Sequence, residues 1–251
     1  MNKRLWIVLA VLVVAVIGGL VWWKTANPDG GNGNTSYISF LDGKTLLTEQ
    51  KIIDAQNKAA NDGKLVDGFK PAGTIIPDHF VGKVDSKVVV VQYEDFACSA
   101  CIGFNVDNEQ IRSDYQDRVL FIYRNFSIGQ NTSTPTQSAA EAAFLLGGVD
   151  AYWKMNNLIF SDTTCIEGAD VNTCEEKIRT YAKQIGLDVD KFNQYVMGYR
   201  DNGIKAKMDR DKQLGLAAGV SATPTWFING EKVEGGNNQK MRDLIDAALA
   251  K

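Results

Sequence analysis

The 251-residue chain has one histidine, His79, and four cysteines, of which only Cys98 and Cys101 form a close pair. A structural zinc site needs four ligands at compatible spacing, so a metal site is poorly supported. No excess of positive charge is present either: 30 Asp and Glu face 27 Lys and Arg, for a formal net charge of -3. That balance gives no premise for nonspecific attraction to nucleic acid. No glycine-rich nucleotide loop follows the first strong strand, which removes the dinucleotide-binding reading. Asp42-Gly43-Lys44 and Gly235-Gly236-Asn237 read as turns, and no ordered EF-hand pattern appears. His79 has no Ser or Asp constellation around it and reads as a surface or packing residue, not a general base. No metal and no cofactor is expected.

What the chain does have is an uncharged apolar run over residues 5–23, close to the length that crosses a hydrocarbon core as one helix. Lys3 and Arg4 precede it and Lys24 follows, which favours a cytoplasmic N-terminus and an exported remainder. A cleaved signal peptide would export the chain equally. The run ends in Trp22-Trp23-Lys24 instead of a small-residue cleavage signal, so a retained anchor over 1–24 is the preferred reading. Residues 25–36, with Pro28 among Asn and Gly, form a flexible linker. An N-terminal extension follows over 37–73, with an amphipathic helix expected at 45–60. The main domain is placed at 74–251.

Within that domain, 87–93 reads as a central strand, because the run Val88-Val89-Val90-Val91 has no wet face. A helix should follow Cys101 toward Tyr115, then a second strand over 119–123. Helical periodicity takes over at about 134–219, with helices expected at 137–146, 151–160, 174–185, 189–199 and 203–218. Trp153, Phe160, Tyr195 and Tyr199 fit packing within this block. Strands return at 225–228 and 232–234, joined by the hairpin signal Asn229-Gly230, before a last helix over 238–249. The order predicts a small α/β sheet interrupted by a helical insertion.

Cys98-Ser99-Ala100-Cys101 sits where the buried strand turns into a helix. Free N–H groups and the dipole at a helix N-terminus stabilise an anion. Cys98 belongs at that end and Cys101 about one turn inside. The division of labour expected is an exposed Cys98 that attacks or is attacked, and a Cys101 that closes onto it. Glu94, with Asp95 behind it, is a candidate proton partner for Cys101, although strand-end acids are also ordinary surface features.

The stretch Tyr93-Glu94-Asp95-Phe96-Ala97-Cys98-Ser99-Ala100-Cys101 resembles the DsbA-like branch of the thioredoxin superfamily. So does Gly219-Val220-Ser221-Ala222-Thr223-Pro224-Thr225-Trp226-Phe227-Ile228-Asn229-Gly230, which is similar to that family's cis-proline loop and following strand. The resemblance implies a thioredoxin-like fold with a helical insertion. It also implies a cis bond before Pro224 beside the cysteine pair, with Thr223 tuning the thiolate and Thr225 as a weaker substrate-side candidate. Locally, Pro224 reads equally as the start of a buried strand. The family often carries Pro after its first cysteine, where this chain has Ser99. Reduced or misoxidised exported proteins are the implied substrates, and a membrane quinone-linked oxidase is the implied recycling partner. Introduction of disulfides leads; a reductase or isomerase fed with electrons, and a binding module whose cysteine pairs are both structural, stay open.

Cys165 and Cys174 flank a turn-rich link inside the helical block. In an exported domain they are expected to form a structural disulfide, the alternative being a second exchange pair. Asn131-Thr132-Ser133 matches a glycosylation pattern that matters only in a compatible host.

Overall fold

The computed structural model describes residues 76, 78–83 and 86–251. The expected anchor, linker and extension over 1–73 lie outside the described residues. Among the described residues no helix is long and apolar enough to cross a membrane.

In chain order the elements are β1 (His79–Gly82), β2 (Val89–Glu94), α1 (Ser99–Tyr115), β3 (Leu120–Asn125), α2 (Ser133–Phe160), α3 (Val171–Gln184), α4 (Val189–Met197), α5 (Ile204–Ala217), β4 (Thr225–Ile228), β5 (Glu231–Glu234) and α6 (Asn238–Leu249). The strands make one mixed sheet in the order β1-β3-β2-β4-β5. β2 and β3 are parallel, and a parallel pair needs a crossover, which α1 supplies. β4 returns antiparallel on the other side of β2. It turns into β5 through Asn229 and Gly230, both at positive φ as a two-residue hairpin loop requires.

The valine run is buried on both faces because alternate residues enter different cores. Val88 and Val90 join Phe121, Trp226 and Ile228 under Ile111 and Tyr115 of α1 and Met241 and Ile245 of α6. Val91 and Tyr93 join Ile122, Phe126 and Phe227 on the opposite face. There α5 approaches so closely that a Cβ on Gly215 would meet the Phe126 ring at 2.6 Å. Helices α2, α3 and α4 build a further cluster around Phe144, Tyr152, Ile159, Ile178 and Phe192, which reaches Phe96 and both Cys98 and Cys101.

Two features differ from the sequence reading. The helices expected at 137–146 and 151–160 meet end to end, separated only by Gly148 at φ 73°, ψ -164°. Glycine takes that conformation without the clash a side chain would meet. Strand β1 was not anticipated: its four residues follow a turn-rich stretch, and antiparallel pairing with β3 makes it a strand.

Candidate active site

The site is assembled by the turn between β2 and α1. Asp95 begins it: its carbonyl accepts the Cys98 N–H at 3.0 Å and its side chain accepts the Ala97 N–H at 3.0 Å. Phe96 anchors the turn in the core, its ring 4.6 Å from that of Phe160 and 5.5 Å from that of Tyr123. Cys98 is thereby held in extended conformation as the N-cap of α1, and Cys101 lies inside the first turn. Both cysteines are free thiols. The Thr223–Pro224 peptide bond is cis, and the Thr223 carbonyl lies 3.6 Å from the Cys98 sulfur.

Cys98 was expected to be exposed; the residue is 5% accessible, against 0% for Cys101. Cys98 packs in the buried cluster with Phe96 and Cys101 and has the Thr223 carbonyl against its sulfur, while Ser99 and Ala100 beside it are exposed. Thr225, a substrate-side candidate, is buried and donates its hydroxyl to the Ala222 carbonyl at 2.7 Å. It shapes the loop instead of facing outward.

The two thiols are electrostatically unlike. Donation from Cys101 pulls the Cys98 pKa down to about 6, with help from Thr223 and the N–H groups of Cys101 and Ala100, against the effect of burial. Burial pushes the Cys101 thiol far above the ordinary range, and its hydrogen bond to Cys98 and the nearby Glu94 carboxylate add to this. One sulfur therefore carries the negative charge at neutral pH while the other keeps its proton.

Glu94 is fully buried at the end of β2. Its Oε1 accepts from the Asn108 amide at 3.0 Å, and its Oε2 has no hydrogen-bond partner. Burial raises its pKa to about 7, against the pull of the Arg112 guanidinium. Arg112, itself buried, donates to Gln92 at 3.4 Å and lies over the Trp153 ring at 5.6 Å. Gln92, Asn108 and Arg112 were missed in the sequence. Their only signal is spacing, since Gln92 shares a strand face with Glu94 and Asn108 lies four residues before Arg112 on α1.

Glu94 gives a pH prediction. Its folded pKa is raised from 4.5 to about 7, so the native state binds the extra proton. The favourable contribution of the neutral carboxyl is present below pH 4.5 and is lost as pH rises through 7. The reduced protein should lose about 3 kcal/mol of stability over that window through this group. Glu94→Gln should flatten that part of the profile in denaturant unfolding; an unchanged slope would show that Glu94 is not the titrating group.

Cys165 and Cys174 are joined by a disulfide at the entrance to α3. The enclosed loop reaches the active-site turn, with the Glu167 N–H donating to the Ala97 carbonyl at 2.8 Å. The Thr132 hydroxyl donates to the Cys165 carbonyl at 2.7 Å. His79 is buried on β1, bonded to Glu141 at 2.8 Å and stacked on Tyr152 at 3.6 Å, a packing position.

A second feature absent from the sequence reading is a buried ionic cluster that ties α2 and α5 to the sheet. Arg124 holds Asp78 through two nitrogens at 2.7 and 3.1 Å. Lys207 bridges Asp211 and Asp78, the latter at 3.4 Å. Asn125 connects Asp211 to Glu141, accepting neither charge itself but donating to both at 3.4 and 2.7 Å. Burial alone would raise the Asp78 pKa, but Arg124, Lys207 and Arg210 hold it far below the usual range. Among the described residues no group of His, Cys, Asp and Glu is placed to hold a metal ion.

The comparisons with known proteins agree with this geometry. The family described as Thioredoxin matches residues 74–247. Among solved structures, the thiol-disulfide exchange protein alpha-DsbA2 of Wolbachia pipientis is 22% identical, covering 86% of this chain and 99% of that one at a TM-score of 0.58. Oxidised BdbD of Bacillus subtilis is 20% identical, covering 73% and 100% at a TM-score of 0.61. Curated relatives include the Na(+)/H(+) antiporter NhaA 3 of Salinispora tropica, 29% identical over 64% of this chain and 23% of the relative. NhaA 1 of Mycolicibacterium gilvum is 28% identical over 63% and 24%. The chain thus spans about a quarter of the length of the curated relatives it matches. With the cysteine pair at the helix start and the cis-proline loop against it, the chain belongs to the thioredoxin family and shares the fold of these DsbA and BdbD structures.

Proposed function

We propose that the chain is an extracytoplasmic, membrane-tethered oxidase that introduces disulfides into exported proteins. The observation that carries this reading is the contrast between the two thiols, with Cys98 lowered to about 6 and Cys101 raised far above its usual range. Stabilising the Cys98 thiolate stabilises the reduced enzyme and makes its disulfide the stronger oxidant. Support for the tether comes from the uncharged run at 5–23.

In the forward reaction a substrate thiolate attacks the Cys98 sulfur of the Cys98–Cys101 disulfide. The sulfur–sulfur bond breaks, and Cys101 leaves and takes up a proton, for which Glu94 is the candidate donor. The substrate's second thiolate then attacks the substrate sulfur bonded to Cys98, forms the substrate disulfide and releases Cys98 as a thiolate. The substrate loses two electrons and the enzyme gains them. A membrane quinone-linked oxidase would take them from Cys98 and Cys101. In this scheme Thr223 and Pro224 present the loop against which the substrate lies, and the Cys165–Cys174 disulfide stays closed as a brace.

Equilibration with glutathione tests the direction. A Cys98–Cys101 potential nearer about -120 mV supports the oxidase, and one near about -270 mV assigns the same site to a reductant. A pair that gentle reductant does not open would make the site structural and leave a binding module.

A further inference from the structure

Asp95 stands where the active-site turn, the connection after β3 and the start of α2 meet. It is completely buried. One carboxylate oxygen accepts the Ala97 N–H at 3.0 Å. The other accepts the Ile128 N–H at 2.7 Å and the Ser133 hydroxyl at 2.6 Å. The carbonyl of the same residue accepts the Cys98 N–H at 3.0 Å. Side chain and main chain of one residue thus define the turn twice, as a local carboxylate-to-N–H turn and as the backbone turn that encloses it. On the other side of Ala97, its carbonyl is held by the Glu167 N–H from the disulfide-closed loop. The peptide immediately before Cys98 is fixed at both ends.

We propose that Asp95 is a positioning residue for Cys98: through Ala97, Ile128 and Ser133 its carboxylate sets the turn that places the sulfur beside Thr223 and the first N–H groups of α1. The inference rests on Cys98 as the attacking thiol. Proximity of charge alone points the opposite way, because a carboxylate near a thiolate opposes it. The geometry decides between the two effects. Both carboxylate oxygens are occupied by donors, and the groups that lower the Cys98 pKa are Cys101, the Thr223 side chain and the N–H groups of Ala100 and Cys101, which surround the N-cap position that Cys98 holds. The Lys212 ammonium, which donates to the Ser127 carbonyl at 2.9 Å, places positive charge beside the same loop.

Two variants separate positioning from charge. Asp95→Asn removes the charge and one acceptor; Asp95→Glu keeps the charge but adds a methylene that displaces the oxygens. Thiolate absorbance of the reduced, full-length protein reads the Cys98 midpoint directly. Positioning predicts that both variants raise the midpoint by about one pH unit, a tenfold change in proton affinity. A charge effect predicts that Asp95→Asn lowers it and Asp95→Glu leaves it in place, which overturns the proposal. Lower unfolding midpoints with an unmoved thiolate midpoint reduce Asp95 to fold support and overturn it as well. Should neither variant fold, Ser133→Ala decides, since it withdraws one donor and leaves the charge: a raised midpoint upholds the proposal and an unmoved one rejects it. The measurement uses no substrate, so it is independent of the direction of electron flow. Failure of the underlying functional reading would appear separately, as full turnover by Cys98→Ala.

Discussion

Cys98→Ala should abolish oxidative refolding of a reduced protein, whereas Cys101→Ala, offered a protein disulfide, should attack it through Cys98, release one protein thiolate and accumulate as a mixed disulfide. The asymmetry follows from charge and burial. With its pKa lowered to about 6, Cys98 is mainly thiolate at neutral pH. Cys101 is inaccessible, with its proton held by burial. An ordinary cysteine with a pKa near 8.5 is only a few per cent thiolate at pH 7, so Cys98 should present roughly thirty times more of the reactive form. Its lower basicity makes each thiolate a weaker nucleophile by about tenfold or more, so the gain in alkylation rate should be about threefold or less. Mass mapping after brief alkylation of the reduced protein at pH 7 should find the label on Cys98. Label on Cys101, or turnover that survives Cys98→Ala, would reverse the roles.

The largest stability effect is expected away from the thiols. Lys207 is 1% accessible and bridges Asp211 and Asp78. Lys207→Met keeps much of the side chain's volume while leaving two buried carboxylates short of a cation. Asp78 retains Arg124 and Arg210. Asp211 retains Arg210 only at 3.7 Å. Removing one partner of a buried ion pair costs about 3–5 kcal/mol, and the remaining cations place this case at about 3 kcal/mol. Burial already pushes the Asp211 pKa up, so in the variant it should take up a proton readily and the loss should shrink as pH falls. Denaturant unfolding with an unchanged slope would read this directly. A loss under about 1 kcal/mol would show that the cluster is not a principal tie between α5 and the sheet.

The sheet and the thiol pair were legible because each has a strong local signature. Four consecutive valines require burial on both sides, and β2 sends alternate residues into two different cores. Asn229-Gly230 supplies the two positive φ angles of the β4–β5 turn within its own dipeptide. The polar interior was hidden for the opposite reason. Asp78, Arg124, Glu141 and Asp211 are far apart in the chain, and any one of them alone reads as a solvated surface charge. Lys207 and Asp211 do carry the four-residue spacing of a helical ion pair, but that spacing is usual on exposed faces and does not announce burial. The role of Asp95 was obscured similarly. Its donors at Ile128 and Ser133 lie 33 and 38 residues away and become neighbours only when β3 pairs with β2.

One edge strand, β5, has only four residues, with Glu231 and Glu234 exposed and Val233 alone turned into the core. A short edge lined with charge is a poor template for another extended chain. Under the proposed function, in which unfolded polypeptides are held by one transient covalent bond, this has a practical benefit. A client can be released when that bond is exchanged, because this edge offers it little backbone pairing through which to remain attached or to seed aggregation.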